Sequence, residues 1–525
     1  MSGSNPTKTR NILFIMCDQL RADHLSCLGH PSLQTPHIDA LAARGVNFER
    51  AYVQSGVCGP SRMSFYTGRY MYSHGATWNG VPLSAREKTL GDYLRPAGIR
   101  TALVGKTHVI GDEAALERFG IEAESERALL LRQGGFEPVN RHEGHAAPPP
   151  QAAYQAYLKA QGYDCDDPWS DYVCAAEGPD GELCSGWRMR HAGLAARVAE
   201  RHSETAYSTD QAIQFISDQG EAPWLLHLSY IKPHWPYLAP APYHDMFGPE
   251  DCTPVLRNQS ERDHPHPVTA AYFGHPECQS FARDEVIATV KPTYMGLVKQ
   301  LDDHIGRLMA ALEAQGRLDD TLIVFTSDHG DYLGDHWLGE KELFYEPSIR
   351  IPLIISDPEA PASRRGVREQ RLVESIDLVP TFLEALGVEA PSHLLEGRSL
   401  VPLLRGGATS PWREAVFCEL DYAFRGARLT LGREVDECRG FMVRDERWKY
   451  VHWQGYGPQL YDLENDPDEF VDLGHDPARA AVRSEMRDRL FEWLASRKLR
   501  TTLDDASIEE RTASHEKRGI YIGIW

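Results

Sequence analysis

Five apolar-centred runs constrain this chain most: "NILFIMC" at 11–17, "RTALVGK" at 100–106, "PWLLHLSYI" at 223–231, "DTLIVFTSDHG" at 320–330 and "IPLIISD" at 351–357. Their middles are continuous rather than alternating, which predicts strands covered on both faces. Helical stretches lie between them. "TPHIDALAARG" (35–45) predicts a helix with Thr35 as N-cap, Pro36 in the first turn and Gly45 just past the end. Residues 286–315 carry Leu, Met and Ile at helical spacing, with Gly316 as the stop. Strands alternating with helices predict an α/β sandwich, a large, mostly parallel central sheet flanked by helices. Such a sheet gathers ligands outside the carboxyl ends of its strands.

Residues 1–410 are expected to form this catalytic unit, with insertions at about 112–200 and 238–285 that are rich in Pro, His and charge and include "AAPPPQ". "FMVRDERWKYVHW" and "PQLYDLENDPDEFVDL" predict a smaller antiparallel α+β unit over 411–498, with a helix at about 477–497. The tail, 499–525, ends in aromatics and isoleucines and is read either as an arm on a neighbouring subunit or as a docked terminus. The formal net charge of -21 argues against nucleic acid or an anionic membrane as the main partner. No secretory h-region or membrane-spanning run stands out, and the ten cysteines are scattered without a CxxC pair, so a reduced, cytoplasmic protein is expected.

Four short stretches fall at predicted strand ends: "CDQ" (17–19), "GKTH" (105–108), "KPHWP" (232–236) and "SDHG" (327–330). Asp18, Asp328 and His329 make a divalent-cation site, with Gln19 as a neutral fourth ligand; carboxylates suit hard cations, and an imidazole tilts the choice toward Mn²⁺. Lys106, His108, His234 and Lys341 would surround a tetrahedral anion. Each stretch alone is more often a helix cap or a turn; their convergence is the expectation. Cys58, in "GVCGPSRMSFYTGR" (56–69), begins a predicted helix with Pro60 in its first turn, where backbone N–H groups favour an anion or a metal-bound oxygen.

That stretch resembles the sulfatase signature, Cys-x-Pro-x-Arg followed by Thr-Gly-Arg: here Cys58-Gly59-Pro60-Ser61-Arg62 and Thr67-Gly68-Arg69. The resemblance extends over nearly the whole chain, through 11–52, 326–355 and the C-terminal unit. It implies the alkaline-phosphatase-like fold and a divalent metal, Mn²⁺ or Ca²⁺, bound by Asp18, Gln19, Asp328, His329 and the modified Cys58. It also implies oxidation of Cys58 to formylglycine by a separate formylglycine-generating enzyme, with Arg62 holding the modified side chain. The expected substrates are small sulfate or phosphonate esters, and the expected assembly is a homo-oligomer, a dimer or tetramer. Asp18-Gln19, Asp328-His329 and "YIKPHWPYLAPAPYHDMF" are similar to the phosphonate monoester hydrolase branch; Lys106, His108 and Ser61 are the choices of true sulfatases. Tyr66 stands where an aliphatic residue is usual. The chain therefore looks like an arylsulfatase built on the phosphonate-hydrolase subgroup, promiscuous toward phosphonate monoesters and phosphodiesters.

The mechanism this resemblance implies uses the hydrated aldehyde at position 58. One hydroxyl, activated by the metal and Arg62, attacks sulfur or phosphorus in line. His234, or else Lys341, assists the leaving oxygen, and the second hydroxyl, helped by His108, expels the anion. Asn79, in "ATWNGV", matches a substrate-facing asparagine, and an ordinary Asn-Gly turn fits equally. Trp78, Trp235, Phe344 and Tyr345 are candidates for an aromatic pocket or for core, and His74 and His336 are read as structural. A phosphodiesterase with an unmodified nucleophile would carry Ser or Thr at 58. A non-catalytic anion-binding protein of the same fold would have lost several of Asp18, Cys58, Arg62, Lys106, Asp328 and Lys341.

Overall fold

The computed structural model describes residues 9–144, 152–407, 411–514, 516–519 and 521. "AAPPPQ" and the last four residues of the tail lie outside them. The main sheet has eight strands, in the order Val367–Glu369, Val46–Phe48, Leu353–Ser356, Thr321–Ser327, Asn11–Asp18, Trp224–Pro233, Arg100–Gly105 and Glu137–Arg141. The five from Thr321–Ser327 to Glu137–Arg141 are mutually parallel, whereas Leu353–Ser356 runs antiparallel to both of its neighbours. All five apolar runs are strands of this sheet. Glu137–Arg141, inside a stretch expected to be an insertion, instead closes one edge of the sheet. Val46–Phe48 and Val367–Glu369 are three residues each, too short for a periodic signal.

The central strand explains the layering. Asn11–Asp18 is buried along its whole length. Ile12, Phe14 and Met16 enter one apolar cluster; Leu13, Ile15 and Cys17 enter another on the opposite face. Burying each such side chain contributes about 1.5–3 kcal/mol, which an alternating strand could gain on one face only. Helices Pro36–Arg44, Glu204–Asp218 and Asp284–Ala314 cover the second face, and Cys58–Thr67 and Leu378–Ala385 the first. Thr35 does not cap its helix through its side chain: its hydroxyl bonds Ser26 and Asp39, and Asp302 Oδ1 accepts the N–H groups of His37 and Ile38 at 2.9 Å each. Gly45 is extended rather than left-handed (φ -124°); it is glycine because a Cβ would meet the Ile355 carbonyl oxygen at 2.2 Å.

Four antiparallel strands follow, Val416–Asp421, Arg439–Arg444, Trp448–Trp453 and Gln459–Asp462, in sequential order. Cys418, Leu420, Met442, Val451 and Trp453 join the cluster that holds the Cys58 helix. Val443, Tyr450 and Leu460 face outward under the helix Ala480–Ala495, which contributes Met486, Leu490 and Trp493. Lys449 Nζ, fully buried, reaches the Phe344 carbonyl at 2.9 Å, Glu346 at 2.9 Å and Glu469 at 2.6 Å, tying this sheet to a loop of the main unit. Among the described residues no helix is long and apolar enough to cross a membrane.

Candidate active site

Asp18 ends the central strand. The register toward Trp224–Pro233 slips between Cys17, opposite Tyr230, and Asp18, opposite Pro233; such a bulge re-aims the side chain that follows. Gln19 then takes φ 67°, which non-glycine residues seldom adopt. Its own bonds hold it there. The backbone N–H donates to Asp328 Oδ1 at 3.1 Å, and Nε2 donates to Asp331 Oδ2 at 2.5 Å and to the Tyr237 hydroxyl at 3.2 Å. The amide oxygen faces Lys341 Nζ at 3.4 Å.

Every residue of the helix Cys58–Thr67 is buried, with Cys58 first. Asn79 Oδ1 accepts the Gly59 N–H at 2.8 Å, satisfying one of the orphan donors of the helix start. Ser61 Oγ donates to the Asp328 carbonyl at 2.6 Å. Arg62, with no exposed surface, gives Nε to Asp328 Oδ2 at 2.7 Å, one terminal nitrogen to Asp18 Oδ2 at 3.1 Å, and the other to Ser229 Oγ at 2.8 Å and the Lys106 carbonyl at 2.9 Å. A guanidinium is retained in so dry a place because two carboxylates share its fork. Gly68 ends the helix in the left-handed region (φ 67°), and Arg69 leaves the site for the Leu394 and Lys498 carbonyls and Glu87.

Lys106 directly follows Arg100–Gly105, two strands over from Asn11–Asp18. Gly105 has φ 104°, and a Cβ on it would lie 1.9 Å from the Ser229 carbonyl oxygen, so only glycine lets this strand turn there. Lys106 Nζ pairs with Asp18 Oδ2 at 2.6 Å. The Oδ2 atoms of both aspartates are thus held by cations. Their Oδ1 atoms each lie 3.7 Å from His329 Nε2. His329 Nδ1 donates to the Gly330 carbonyl at 2.8 Å, which turns Nε2 toward the cluster. One ligand atom from each of Asp18, Cys58, Asp328 and His329 lies within 4.8 Å of the others, all buried. Two carboxylates, an imidazole and a sulfur at that spacing fit one divalent cation. His37, Asp302 and Asp303 also cluster, but there Lys299 Nζ stands 2.9 and 2.6 Å from the two carboxylates.

Cys58 Sγ has two close cationic partners, His329 Nε2 and Lys341 Nζ, each at 3.0 Å. Lys341 Nζ also lies 3.4 Å from His234 Nε2, whose Nδ1 donates to the Trp235 carbonyl at 2.6 Å. The electrostatics follow from this crowding. Burial works to raise the Asp18 carboxyl, but Lys106, His234, Arg62 and His329 outweigh it and hold it well below the usual range. Burial and Asp18 push the Cys58 thiol up; Lys341, His329 and Lys106 bring it below its ordinary value. Burial works to lower His329, and Asp328 and Cys58 raise it to about 9.

The remaining candidates divide. The backbone N–H of His108 donates to Glu143, and its φ of 57° marks a constrained loop. Trp235 lies beside His234, with ring centroids 4.5 Å apart. Phe344 and Tyr345 are core: Phe344 packs on Trp453, and Tyr345 stacks on His336 at 4.0 Å. Trp78 stacks on Phe424 at 5.7 Å. His74 bridges to Ser64 Oγ, and burial depresses it to about 3. Tyr66 bonds His227 at 3.0 Å beneath the site. Sequence reasoning did not assign Ser229, Asp331, Tyr237 and Glu143, which position Arg62, Gln19 and the His108 loop; Tyr237 and Asp331 lie within family-like stretches, but their partners lie far along the chain.

These features define an enzyme of the alkaline-phosphatase-like α/β class, a hydrolase of sulfate or phosphonate monoesters. Residues 10–388 match the model of the family described as Sulfatase, and 334–496 that described as N-sulphoglucosamine sulphohydrolase, C-terminal. The chain belongs to the sulfatase family. It is 34% identical to the multifunctional alkaline phosphatase superfamily protein PehA of Trinickia caryophylli, over 94% of this chain and 96% of that one. It is 28% identical to an arylsulfatase of Clostridium perfringens, over 88% and 90%. The solved phosphonate monoester hydrolase of Agrobacterium radiobacter superposes with a TM-score of 0.81 at 32% identity, covering 93% of this chain and 95% of that one.

Proposed function

We propose that this protein hydrolyses sulfate monoesters of the aryl type, with phosphonate monoesters and phosphodiesters as secondary substrates. The observation that carries the reading is the pair of cationic groups, His329 and Lys341, each 3.0 Å from Cys58 Sγ, above two aspartates whose outer oxygens are already neutralised. Asp18, Gln19, Asp328, His329 and residue 58 would hold one Mn²⁺ or Ca²⁺, which when bound supplies Lewis acidity at the ester oxygens. Conversion of Cys58 by a formylglycine-generating enzyme supplies an aldehyde whose hydrate has two hydroxyls on one carbon.

The chain's own residues do the rest. Arg62 and Lys106 fix the aspartates, and together they help hold Asp18 ionised. Lys341 binds the anionic headgroup and, with His234, neutralises the departing oxygen, His234 Nε2 carrying the proton. His108 takes the proton that accompanies product release, and Asn79 orients the headgroup from the helix start. A homo-oligomer and a reducing, cytoplasmic setting complete the reading, supported by the ten unpaired cysteines and by exposed Leu499 and Tyr521 in the tail.

A second reading, phosphonate monoesters as main substrates, is favoured by the likeness to the Agrobacterium enzyme. Steady-state hydrolysis of matched aryl sulfate, phosphonate monoester and phosphodiester separates the two. The proposal expects the sulfate to lead in kcat/KM; a phosphonate preference by orders of magnitude would replace it with the second reading.

A further inference from the structure

A cavity of about 310 Å³ lies between the main unit and the C-terminal sheet. Its walls come from residues 21–23, just past the central strand, from Glu346, Pro347 and Arg350, from Arg444 at the end of Arg439–Arg444, and from residues 467–469. No residue placed at the candidate active site lines it.

Most of the charge on these walls is already matched. Asp23 accepts from Arg21 Nε at 2.8 Å and from a terminal nitrogen of Arg21 at 2.5 Å. Glu346 Oε2 accepts the Tyr52 hydroxyl at 2.9 Å, and Lys449 Nζ stands 2.9 Å from Glu346 Oε1 and 2.6 Å from Glu469 Oε1. Glu469 Oε2 accepts the Glu346 N–H at 2.8 Å. His336 Nδ1 lies 2.6 Å from Glu261 Oε1.

Three side chains are left over. Arg444 is 6% exposed and lies over the Tyr52 ring, 5.1 Å from its centroid. Its Nε and one terminal nitrogen are buried with no hydrogen-bond acceptor among the described residues. Its ion pair with Glu346 Oε1 is long, 3.8 Å, and that oxygen is the one Lys449 holds. Arg350 approaches Glu346 Oε2 at 3.5 Å without a hydrogen bond. Asp468 makes no carboxylate hydrogen bond or contact ion pair among the described residues. Burial and Asp466 raise its carboxyl above the usual value against the pull of His336.

A buried guanidinium with unfilled donors costs free energy until something accepts from it. A simple anion would satisfy Arg444 and Arg350 but set a second negative charge in the cavity with Asp468. A simple cation would satisfy Asp468 and face two guanidiniums. The rest of the lining, including Leu256, Pro347, Leu463 and Pro467, is apolar. We propose that this cavity binds a small zwitterion, an α-amino acid with an apolar side chain, its carboxylate on Arg444 and Arg350 and its ammonium on Asp468. The site stands apart from the hydrolase reading.

The test is isothermal titration calorimetry of the full chain with L-leucine. Two analogues accompany it: 4-methylpentanoate, which lacks the ammonium, and 3-methylbutylamine, which lacks the carboxylate. Wild type is expected to take up one leucine and to bind each analogue about tenfold more weakly. Arg350→Gln should weaken leucine about tenfold and leave 3-methylbutylamine unchanged; Asp468→Asn should weaken leucine as much and leave 4-methylpentanoate unchanged. Arg444 is packed on Tyr52, so its two partly exposed partners carry the test, with an unchanged Tm in the absence of ligand as the control for folding. No leucine binding, or a leucine affinity that survives both substitutions, would overturn the proposal. Binding of 4-methylpentanoate as tight as that of leucine would overturn it in favour of a simple anion site.

Discussion

At the scale of single residues the site is a balance of buried charge. Asp18 Oδ2 carries both Arg62 and Lys106, and Asp328 Oδ2 carries Arg62 again. Asp18→Asn therefore removes a proposed metal ligand and leaves the fully buried Lys106 ammonium without its carboxylate, while Arg62 keeps Asp328. It is expected to lower kcat/KM at least a thousandfold, to abolish stoichiometric metal by elemental analysis, and to cost about 3–5 kcal/mol in denaturant unfolding. A variant with normal metal content and stability would show that Asp18 is only a strand-end cap. Asn79 follows gentler rules: losing its oxygen leaves the Gly59 N–H without that acceptor, and Asn79→Ala should cost about 1 kcal/mol. The residue types of the cluster were legible in the sequence, because Asp, His and Lys after apolar runs sit at strand ends. Which atom bonds which was not. Lys106, expected around the substrate anion, is buried against Asp18, while Lys341 is the lysine that touches Cys58.

Among the elements, the loop carrying Lys341 bears the most strain. Leu333, His336, Trp337, Glu340, Glu342 and Leu343 all have positive φ, each at a cost of roughly 1–3 kcal/mol. The surroundings hold it: the Tyr332 hydroxyl donates to the Glu342 carbonyl at 2.8 Å, the Glu342 N–H to the Gly56 carbonyl at 3.3 Å, and Arg425 pairs with Glu342 at 3.1 Å. Burial raises the Glu342 carboxyl from 4.5 to about 7 against the pull of Arg425. Its folded pKa exceeds the unfolded one, so its stabilising contribution is complete below pH 4.5 and is lost as pH rises toward 7. Glu342→Gln should gain on wild type across that window by on the order of 3 kcal/mol in melts at pH 5 and pH 8. An unchanged difference would mean that the carboxyl is ionised throughout. The sequence marks this loop through Lys341 and the family resemblance over 326–355 but not its strain, which arises from packing against segments that are remote in the chain. The five apolar runs were legible as continuous local stretches and the long helix by its local periodicity; Val46–Phe48 and the edge strand Val367–Glu369 were not, because three residues are too few for either signal.

At the scale of the molecule, the C-terminal sheet and the Cys58 helix share one apolar cluster, and Lys449 fastens that sheet to the loop after Lys341. Metal binding at the strand ends should therefore stabilise the whole chain rather than one loop. Stripping the protein with a chelator is expected to abolish activity and lower Tm in a single transition, and returning Mn²⁺ should restore both, the gain growing as RT ln(1 + [M]/Kd). Full activity after exhaustive chelation would contradict the metal assignment.

The central claim is that residue 58 works as formylglycine, and the most direct measurement is the mass of the tryptic peptide spanning it, taken from protein of known specific activity. The account predicts a peptide lighter than the cysteine form by the change from CH2SH to CHO, in a proportion that tracks activity across preparations. Fully active protein whose peptide always has the mass of unmodified cysteine would contradict it.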